Sequence, residues 1–405
     1  LAPEVTSGPT LAAEIGRAYD TVPYDGGAVP ELGLSVLRGA AAALGLDPSP
    51  GPVLDVLDIG CGAAAQLLEA ARHSPGRMVG IDASADTCAR ARARGAHLGE
   101  RWRILHGDAA SVAAEELGQF DVIYLVGTAY VMPPPARAAA LELLARCLRP
   151  GGVAVITAYT GLHGVARSWL AGIVRAANDS ALPPEGQLAL ARANLRAMVA
   201  MVPAQGEAAP HARATLAAME AAPDVVLFHE ALGPVFEPLM ASGLEAMLAP
   251  HGLGYLNCLP PLPFAPGVPS RAAAHSADAW DFATGGGYRT MLFAKPAGPG
   301  QGLRHPGVVW TAALRREQAP GGAAVFTDPA RRATINGNTP WSLAQLEALC
   351  AGPGTWRHLR DAAAALLPAL GAAPPDPAAF DAGLDEILLL LWRQSLVQPS
   401  LATPG

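Results

Sequence analysis

Two acidic residues, each closing an apolar run, frame the strongest chemical signal in the chain. The stretch Val53-Leu-Asp-Val-Leu-Asp58-Ile-Gly60-Cys61-Gly62 runs from a hydrophobic segment into a G-x-G turn and then a helical pattern. Glycines at such a turn let the backbone approach a ligand without a Cβ in the way. The N-terminus of the following helix offers free N–H donors to a carboxylate or phosphate. Asp58, two residues ahead of Gly60, is placed to meet a cationic or amino group through water. A dinucleotide turn reads G-x-G-x-x-G, and the third position here is Ala65, so that match is poor.

A lone G-x-G is weak evidence, but four further signals follow in order. Gly80-Ile81-Asp82 ends the second apolar run, and an acid there can accept hydrogen bonds from both hydroxyls of a ribose. Gly107-Asp108-Ala109 follows a third run, placed to meet an adenine amino group. Phe120-Asp121-Val122-Ile123-Tyr124 and Leu148-Arg-Pro-Gly-Gly152 complete the series. This order and spacing point to S-adenosylmethionine (SAM) as cofactor. Its candidate contacts are Asp58, Gly60, Cys61, Gly62 and Gln66 at the first turn. Asp82 and Ala83 follow at the second, with Asp108, Ala109, Val126 and Gly127 beyond, and Tyr19 and Tyr24 come from the N-terminal loop. The chemistry is then direct displacement, with an acceptor lone pair attacking the methyl carbon in line with the sulfur. Such a site aligns partners and excludes water. An amine acceptor must first lose its proton, and desolvation favours that loss. The ten histidines form no H-E-x-x-H or other ligand pair, so no metal is expected.

The elements that position these residues alternate. Strands are expected at Val53–Ile59, Met78–Ile81, Arg103–Leu105, Val122–Val126 and Val153–Thr157, with helices such as Ala63–His73 and Pro134–Leu148 between them. Strict alternation implies a parallel sheet covered on both faces. Residues 161–251 are mostly helical by period. Two late apolar runs, Leu253–Cys258 and Tyr288–Ala294, flank a Pro-rich loop at Pro260–Pro269 and complete a seven-stranded sheet. A Gly/Pro-dense linker, Pro296–Pro306, leads to a C-terminal region. There a helix starts at Pro340–Ser342, others cover Trp356–Leu370 and Ala379–Trp392, and a short strand follows at Leu396–Gln398. The fold class is therefore α/β. The expected units are a core at 1–160 with an N-terminal lid at 1–45, an insert at 161–251, the last two strands at 252–295, and a domain at 307–405.

Composition narrows the partners. The 405 residues are half hydrophobic and 16% charged, ample for large cores. A net charge of −7, with no basic run interleaved with aromatics, argues against nucleic acid. Lys295 is the only lysine, which with the abundant Ala, Gly and Pro reads as a GC-rich genome. Five scattered cysteines, odd in number and never in C-x-x-C spacing, fit a reducing compartment and argue against both a disulfide framework and a zinc site. No apolar stretch is long enough to span a bilayer, and no secretory signal is seen at Leu1, where a short leader or tag is expected to have been removed. The expected location is cytoplasmic, without a membrane partner.

The chain resembles the bacterial SAM-dependent methyltransferases that carry a methyltransferase regulatory domain, a group that includes lysine methyltransferases acting on outer-membrane proteins. The resemblance begins at Tyr19-Asp20-Thr21-Val22-Pro23-Tyr24 (family Y-D-x-V-P-Y) and runs through the turns above. It continues in Phe228-His229-Glu230-Ala231-Leu232 (H-E-x-L), His251-Gly252-Leu253-Gly254-Tyr255-Leu256 (H-G-L-x-Y-L), and Asp281-Phe282 with Tyr288-Arg289 (D-F, then F-R). It is looser after residue 307. It implies a Rossmann-like core, a helical middle region and a small winged-helix-like C-terminal domain.

Departures cluster where an acceptor should sit. Val126, Tyr130 and Val131 stand where the family has His, Ser and Trp, and Thr157-Ala158-Tyr159-Thr160 replaces S-Y-N-T. Gly286 replaces an Arg. Tyr130 and Tyr159 are candidates for the acceptor wall, where a phenol orients an amine and a ring face favours a cation; core packing at strand ends is the alternative. Tyr24 either closes over the cofactor or anchors a loop. His229-Glu230 reads as a buried structural pair, and Trp280, Trp310, Trp341 and Trp356 as core anchors. Three functions remain open. They are methyl transfer to a nitrogen of a protein or peptide side chain, methylation of a small molecule or natural product, and SAM binding for interaction or regulation without turnover.

Overall fold

The computed structural model describes residues 8–48, 51, 53–203, 205–206, 209–263, 270–296, 300–318, 324–328, 333–373 and 376–401. Leu1, part of the Pro-rich loop (264–269) and part of the expected linker (297–299) lie outside the described residues. In chain order the first elements are α1 (Gly8–Thr21), α2 (Leu34–Ala43), β1 (Val56–Ile59), α3 (Ala65–His73), β2 (Met78–Asp82), α4 (Ala85–Arg94), β3 (Trp102–His106), α5 (Ala114–Leu117), β4 (Phe120–Leu125), α6 (Pro134–Cys147) and β5 (Leu148–Tyr159). An all-helical stretch follows: α7 (Gly161–Ala176), α8 (Pro184–Met201), α9 (Ala209–Glu220), α10 (Asp224–Leu227), a π-helical turn Phe228–Leu232, and α11 (Ala241–Leu248). Then β6 (Gly254–Leu259), α12 (Arg271–Thr284) and β7 (Tyr288–Ala294) return the chain to the sheet.

The sheet order is β3-β2-β1-β4-β5-β7-β6. Strands β1 to β5 pair in parallel, while β7 runs antiparallel to both β5 and β6. β1 and β4 are buried along their whole length, as strands covered by helices on both faces must be. β1 begins at Val56 rather than Val53 because the preceding backbone turns to side chains. Leu54 N–H donates to Ser74 Oγ and Asp55 N–H to Asp121 Oδ2, each at 2.8 Å.

The remaining strands and helices are β8 (Val308–Ala312), β9 (Arg315–Gln318), β10 (Ala324–Thr327), β11 (Thr334–Asn336), α13 (Pro340–Ala351), β12 (Gly354–Thr355), α14 (Trp356–Leu366), α15 (Pro377–Arg393) and β13 (Val397–Leu401). They make two three-stranded sheets, β11-β10-β9 and β12-β8-β13. α13 starts in a capping box between Thr339 and Ser342 with Pro340 in its first turn. The short β9 to β11 were not expected from sequence. β9 reads Arg-Arg-Glu-Gln and is mostly exposed, so no apolar alternation marks it.

One apolar core lies on the sheet face covered by α6 and the helical insert. On the other face α2 and α3 pack with Trp310, Leu384 and Leu391 of the C-terminal region in a second core. α2 is therefore an inner helix, and only the residues before it reach the ligand side of the sheet. The second half of the expected linker is also packed, since Gly300 N–H donates to Gly45 O at 3.0 Å and Leu303 is buried. Trp310 and Trp356 are buried, but Trp280 and Trp341 are 39% and 37% exposed and are not core anchors. No helix among the described residues is long and apolar enough to cross a membrane.

Candidate active site

A cavity of about 400 Å³ opens beyond the carboxyl ends of β1, β2 and β4. Open parallel sheets bind ligands at this edge, where strand order reverses, here between β1 and β4. The floor is the turn after β1. Gly60 and Gly62 both have positive φ, 77° and 53°, as does the non-glycine Ala64 at the start of α3. At Gly60 a Cβ would collide with Thr128, whereas at Gly62 it would point into open space.

All thirteen residues proposed from sequence as cofactor contacts line this one cavity. Tyr19 and Tyr24 form its roof, the turn from Asp58 to Gln66 its floor, and Asp82, Ala83, Asp108 and Ala109 one wall. Val126 and Gly127 begin the far side. Asp82 is fixed by its neighbours, since Oδ2 accepts from Gly62 N–H and Oδ1 from Ser84 N–H, both at 2.9 Å. Burial pushes its pKa up, and those two amides oppose the rise. Asp108 Oδ1 caps the turn after β3 by accepting from Ser111 N–H. Gln66 is engaged at both ends. Its Oε1 accepts from Val29 N–H at 2.9 Å and its Nε2 donates to Leu32 O at 3.0 Å, fastening the segment between α1 and α2 to α3.

Asp58 differs from its neighbours. It is 4% exposed, and among the described residues no donor reaches its carboxylate. Burial, reinforced by the charge of Asp82, pushes its pKa up to about 8. A buried carboxylate without a partner on a cavity wall favours a cationic ligand group. The amino end of SAM has that character, so the donor set fits the cofactor.

The segment 22–29, without regular secondary structure, forms a strap that puts Tyr24, Gly26, Gly27 and Val29 on the cavity lining. Asp20 holds its start by accepting from Ser84 Oγ at 2.5 Å, and Arg90 pairs with Asp25 at 2.6 Å. His229 Nε2 lies 2.7 Å from Val22 O, and its ring stacks on Tyr19 with centroids 3.8 Å apart and planes within 4°. Burial pushes the His229 pKa down, which favours a neutral ring.

The far end of the cavity holds a second polar cluster. Tyr130 Oη donates to Glu230 Oε1 at 3.0 Å, and Tyr159 Oη lies 3.2–3.3 Å from both oxygens of the same carboxylate. Arg167 Nη2 pairs with Glu230 Oε2 at 2.5 Å with both side chains at least 90% buried. Tyr288 Oη donates to Thr157 Oγ1, which accepts in turn from Gly127 N–H at 2.6 Å. The Tyr130, Tyr159 and Tyr288 rings pack edge to face at 4.9–6.0 Å. Burial first, then the Glu230 charge, raises the pKa of Tyr130 and Tyr159.

Two sequence expectations change here. Tyr130 lines the cavity, but Tyr159 stands one layer behind it, against Glu230 and Arg167. His229 and Glu230 do not pair with each other. The π-helical turn aims them at different partners, His229 at the strap and Glu230 at the tyrosines, and both line the cavity. Such turns are frequent at functional sites. Sequence reading assigned Glu230, His229 and Tyr288 no site role, although all three fall within the resembling motifs. Arg167 carried no signal at all. No group of three or more His, Cys, Asp or Glu among the described residues could hold a metal.

Residues 56–152 match the methyltransferase domain, and the chain carries a SAM-dependent methyltransferase domain there. The Escherichia coli protein YjhP is 37% identical over 107 residues, 26% of this chain and 42% of that protein. RP028 of Rickettsia prowazekii is 30% identical over 155 residues, 36% of this chain and 59% of that protein. The chain thus spans about half the length of the curated relatives it matches. Among solved structures, PKMT2 from Rickettsia typhi, in complex with AdoHcy, superposes with a TM-score of 0.74 at 17% identity, covering 94% of this chain and 78% of that one. PKMT2 determined separately gives the same TM-score. The shared fold therefore extends well past the matched domain, through the helical insert and the C-terminal region.

Proposed function

We propose that the chain transfers the methyl group of SAM to a side-chain nitrogen of a protein or peptide. The observation that carries this reading is Glu230, a carboxylate held by Tyr130, Tyr159 and Arg167 at the end of the cavity away from Asp82 and Asp108. SAM supplies, when bound, a methyl group activated on a sulfonium. Asp58 would hold its amino end, Asp82 its ribose and Asp108 the adenine edge, leaving Gly127, Tyr130 and Glu230 to face the acceptor.

The acceptor side is built for a nitrogen. Glu230 accepts an N–H and so orients the nitrogen, while the Tyr130 and Tyr288 rings offer electron-rich surfaces to a group that passes through a positive charge. The strap and the Tyr19–His229 stack exclude water above the reacting atoms. We read residues 1–160 with 252–295 as the core and 161–251 as the insert that brings Glu230 over it. We read 307–405, as far as it is described, as a small winged-helix-like unit. A polypeptide acceptor is supported by the resemblance to lysine methyltransferases and by the fold shared with PKMT2.

Incubation with methyl-labelled SAM and fractionated host lysate tests the reading. Label is expected in polypeptide, on a side-chain amine after digestion and mass spectrometry. Label confined to small molecules would replace the acceptor class, and SAM binding without transfer would leave a regulatory protein.

A further inference from the structure

The acceptor cluster contains a cation with no direct access to the cavity. Arg167 of α7 is buried, pairs with Glu230 at 2.5 Å, and stacks its guanidinium 4.7 Å from the Tyr159 ring centroid. Among the described residues its Nε–H is buried without a hydrogen-bond partner. Burying a guanidinium with an unpartnered N–H is costly, and such groups in folded proteins call for a reason. Stability alone is a poor one, since buried ion pairs seldom outperform apolar packing.

A carboxylate alone at the acceptor position creates a problem for methyl transfer to an amine. It binds the ammonium form, raises its pKa and holds the proton that occupies the lone pair. A fixed positive charge behind the carboxylate reverses this. We propose that Arg167 is a positioning residue that offsets the charge of Glu230, so that the site takes its amine as the neutral base while Glu230 still orients one N–H. This rests on the amine reading of the site given above.

In the transfer, the ammonium first gives its proton to bulk water. The nitrogen lone pair then forms the N–C bond as the S–C pair leaves with sulfur, and the products are neutral AdoHcy and a methylammonium that carries the positive charge and sheds its proton to bulk water on release. No protein base is required.

Other charged and titratable groups face the same carboxylate. Tyr130 follows β4, Tyr159 ends β5 and Tyr288 begins β7, while Tyr19 and Tyr24 come from α1 and the strap. Burial and Glu230 raise the pKa of all five, so none carries charge near neutral pH. His229 adjoins Glu230 in the π turn, with a lowered pKa that favours its neutral form. His163, nearer the start of α7, has a pKa lowered first by burial and then by the charge of Arg167. Arg137 is engaged by Glu237. Among the described residues, Arg167 is thus the cation in contact with Glu230.

The test uses n-butylamine as acceptor mimic, titrated by calorimetry into the whole protein saturated with S-adenosylhomocysteine from pH 7 to 10. The wild-type chain is expected to bind more tightly as pH rises and the free base accumulates. Arg167→Gln, which keeps a donor for Glu230 but removes the charge, should bind at least threefold tighter at pH 7 and lose the rise. Its acid limb of kcat against pH should move up by a pH unit or more, and Arg167→Lys should restore both behaviours. Wild-type affinity that is flat or falls with pH overturns the proposal without recourse to any variant. So does an Arg167→Gln enzyme slowed by the same factor at every pH. No butylamine binding at any pH, with no methyl transfer to amines, overturns the amine site itself. Binding and transfer without the pH signature overturn only the role of Arg167.

Discussion

Asp58 and Asp82 share one cavity wall, yet their surroundings ask different things of them. Asp82 already accepts two backbone amides and has lone pairs left for a ribose. Asp82→Ala should therefore weaken SAM binding by one to two charge-assisted hydrogen bonds, roughly 1.5–3 kcal/mol each. Calorimetry with an unchanged affinity would remove that carboxylate from the ribose. Asp58 has no partner of its own among the described residues, and folding raises its pKa from 3.8 to about 8. Between those values the folded chain holds a proton that the unfolded chain has released, so ligand-free stability falls as pH rises through the window. Its contribution is complete below about pH 4 and gone above about pH 8. Asp58→Asn has no such proton, and in urea unfolding it should gain on the wild type steadily from pH 5 to 8. Equal pH slopes in the two proteins would show that Asp58 is ionised before any ligand arrives.

The elements that hold these residues are the turn after β1 and the strap above it. Gly62 has φ 53°, and the space its Cβ would enter is open cavity. Gly62→Val should therefore abolish SAM binding through both ligand overlap and a left-handed backbone that a β-branched residue resists. The fold should survive with modest loss, so a native circular dichroism spectrum with retained SAM affinity would place the cofactor elsewhere. This turn was fully legible in the sequence because its chemistry is local. An apolar run, two glycines and an acid at fixed spacing leave few alternatives. β7 was read to the residue, Tyr288–Ala294, for the same reason. Glu230 was not legible as a site residue. A His-Glu dipeptide reads as a helical surface or core pair until a π turn rotates the two side chains apart, and no residue-spacing rule announces that turn. Arg167 becomes significant only through Glu230, 63 residues away in sequence. β9 to β11 were hidden by their shortness and charge.

At the scale of the whole molecule, the C-terminal region is welded to the sheet it follows. Gly39 of α2 lies flush on β13, where a Cβ would come within 2.5–2.7 Å of the Ser400 backbone. Gly39→Ala must push the strand away, and overpacking of this kind costs about 1–3 kcal/mol. A single cooperative urea transition, shifted by that amount, is expected. An unshifted transition would mean that this contact does not hold the two regions together. The result of the packing is a cavity with its carboxylates at one end and Glu230, brought by the insert, at the other. Methyl transfer to an acceptor held at Glu230 depends on the direction in which the cofactor lies between them. The measurement that tests it most directly is a crystal structure of the chain with S-adenosylhomocysteine. The ribose should meet Asp82, the amino group should lie at Asp58, and the sulfur should face Tyr130 and Glu230. A sulfur directed away from that pair, toward the C-terminal region or open solvent, would contradict it.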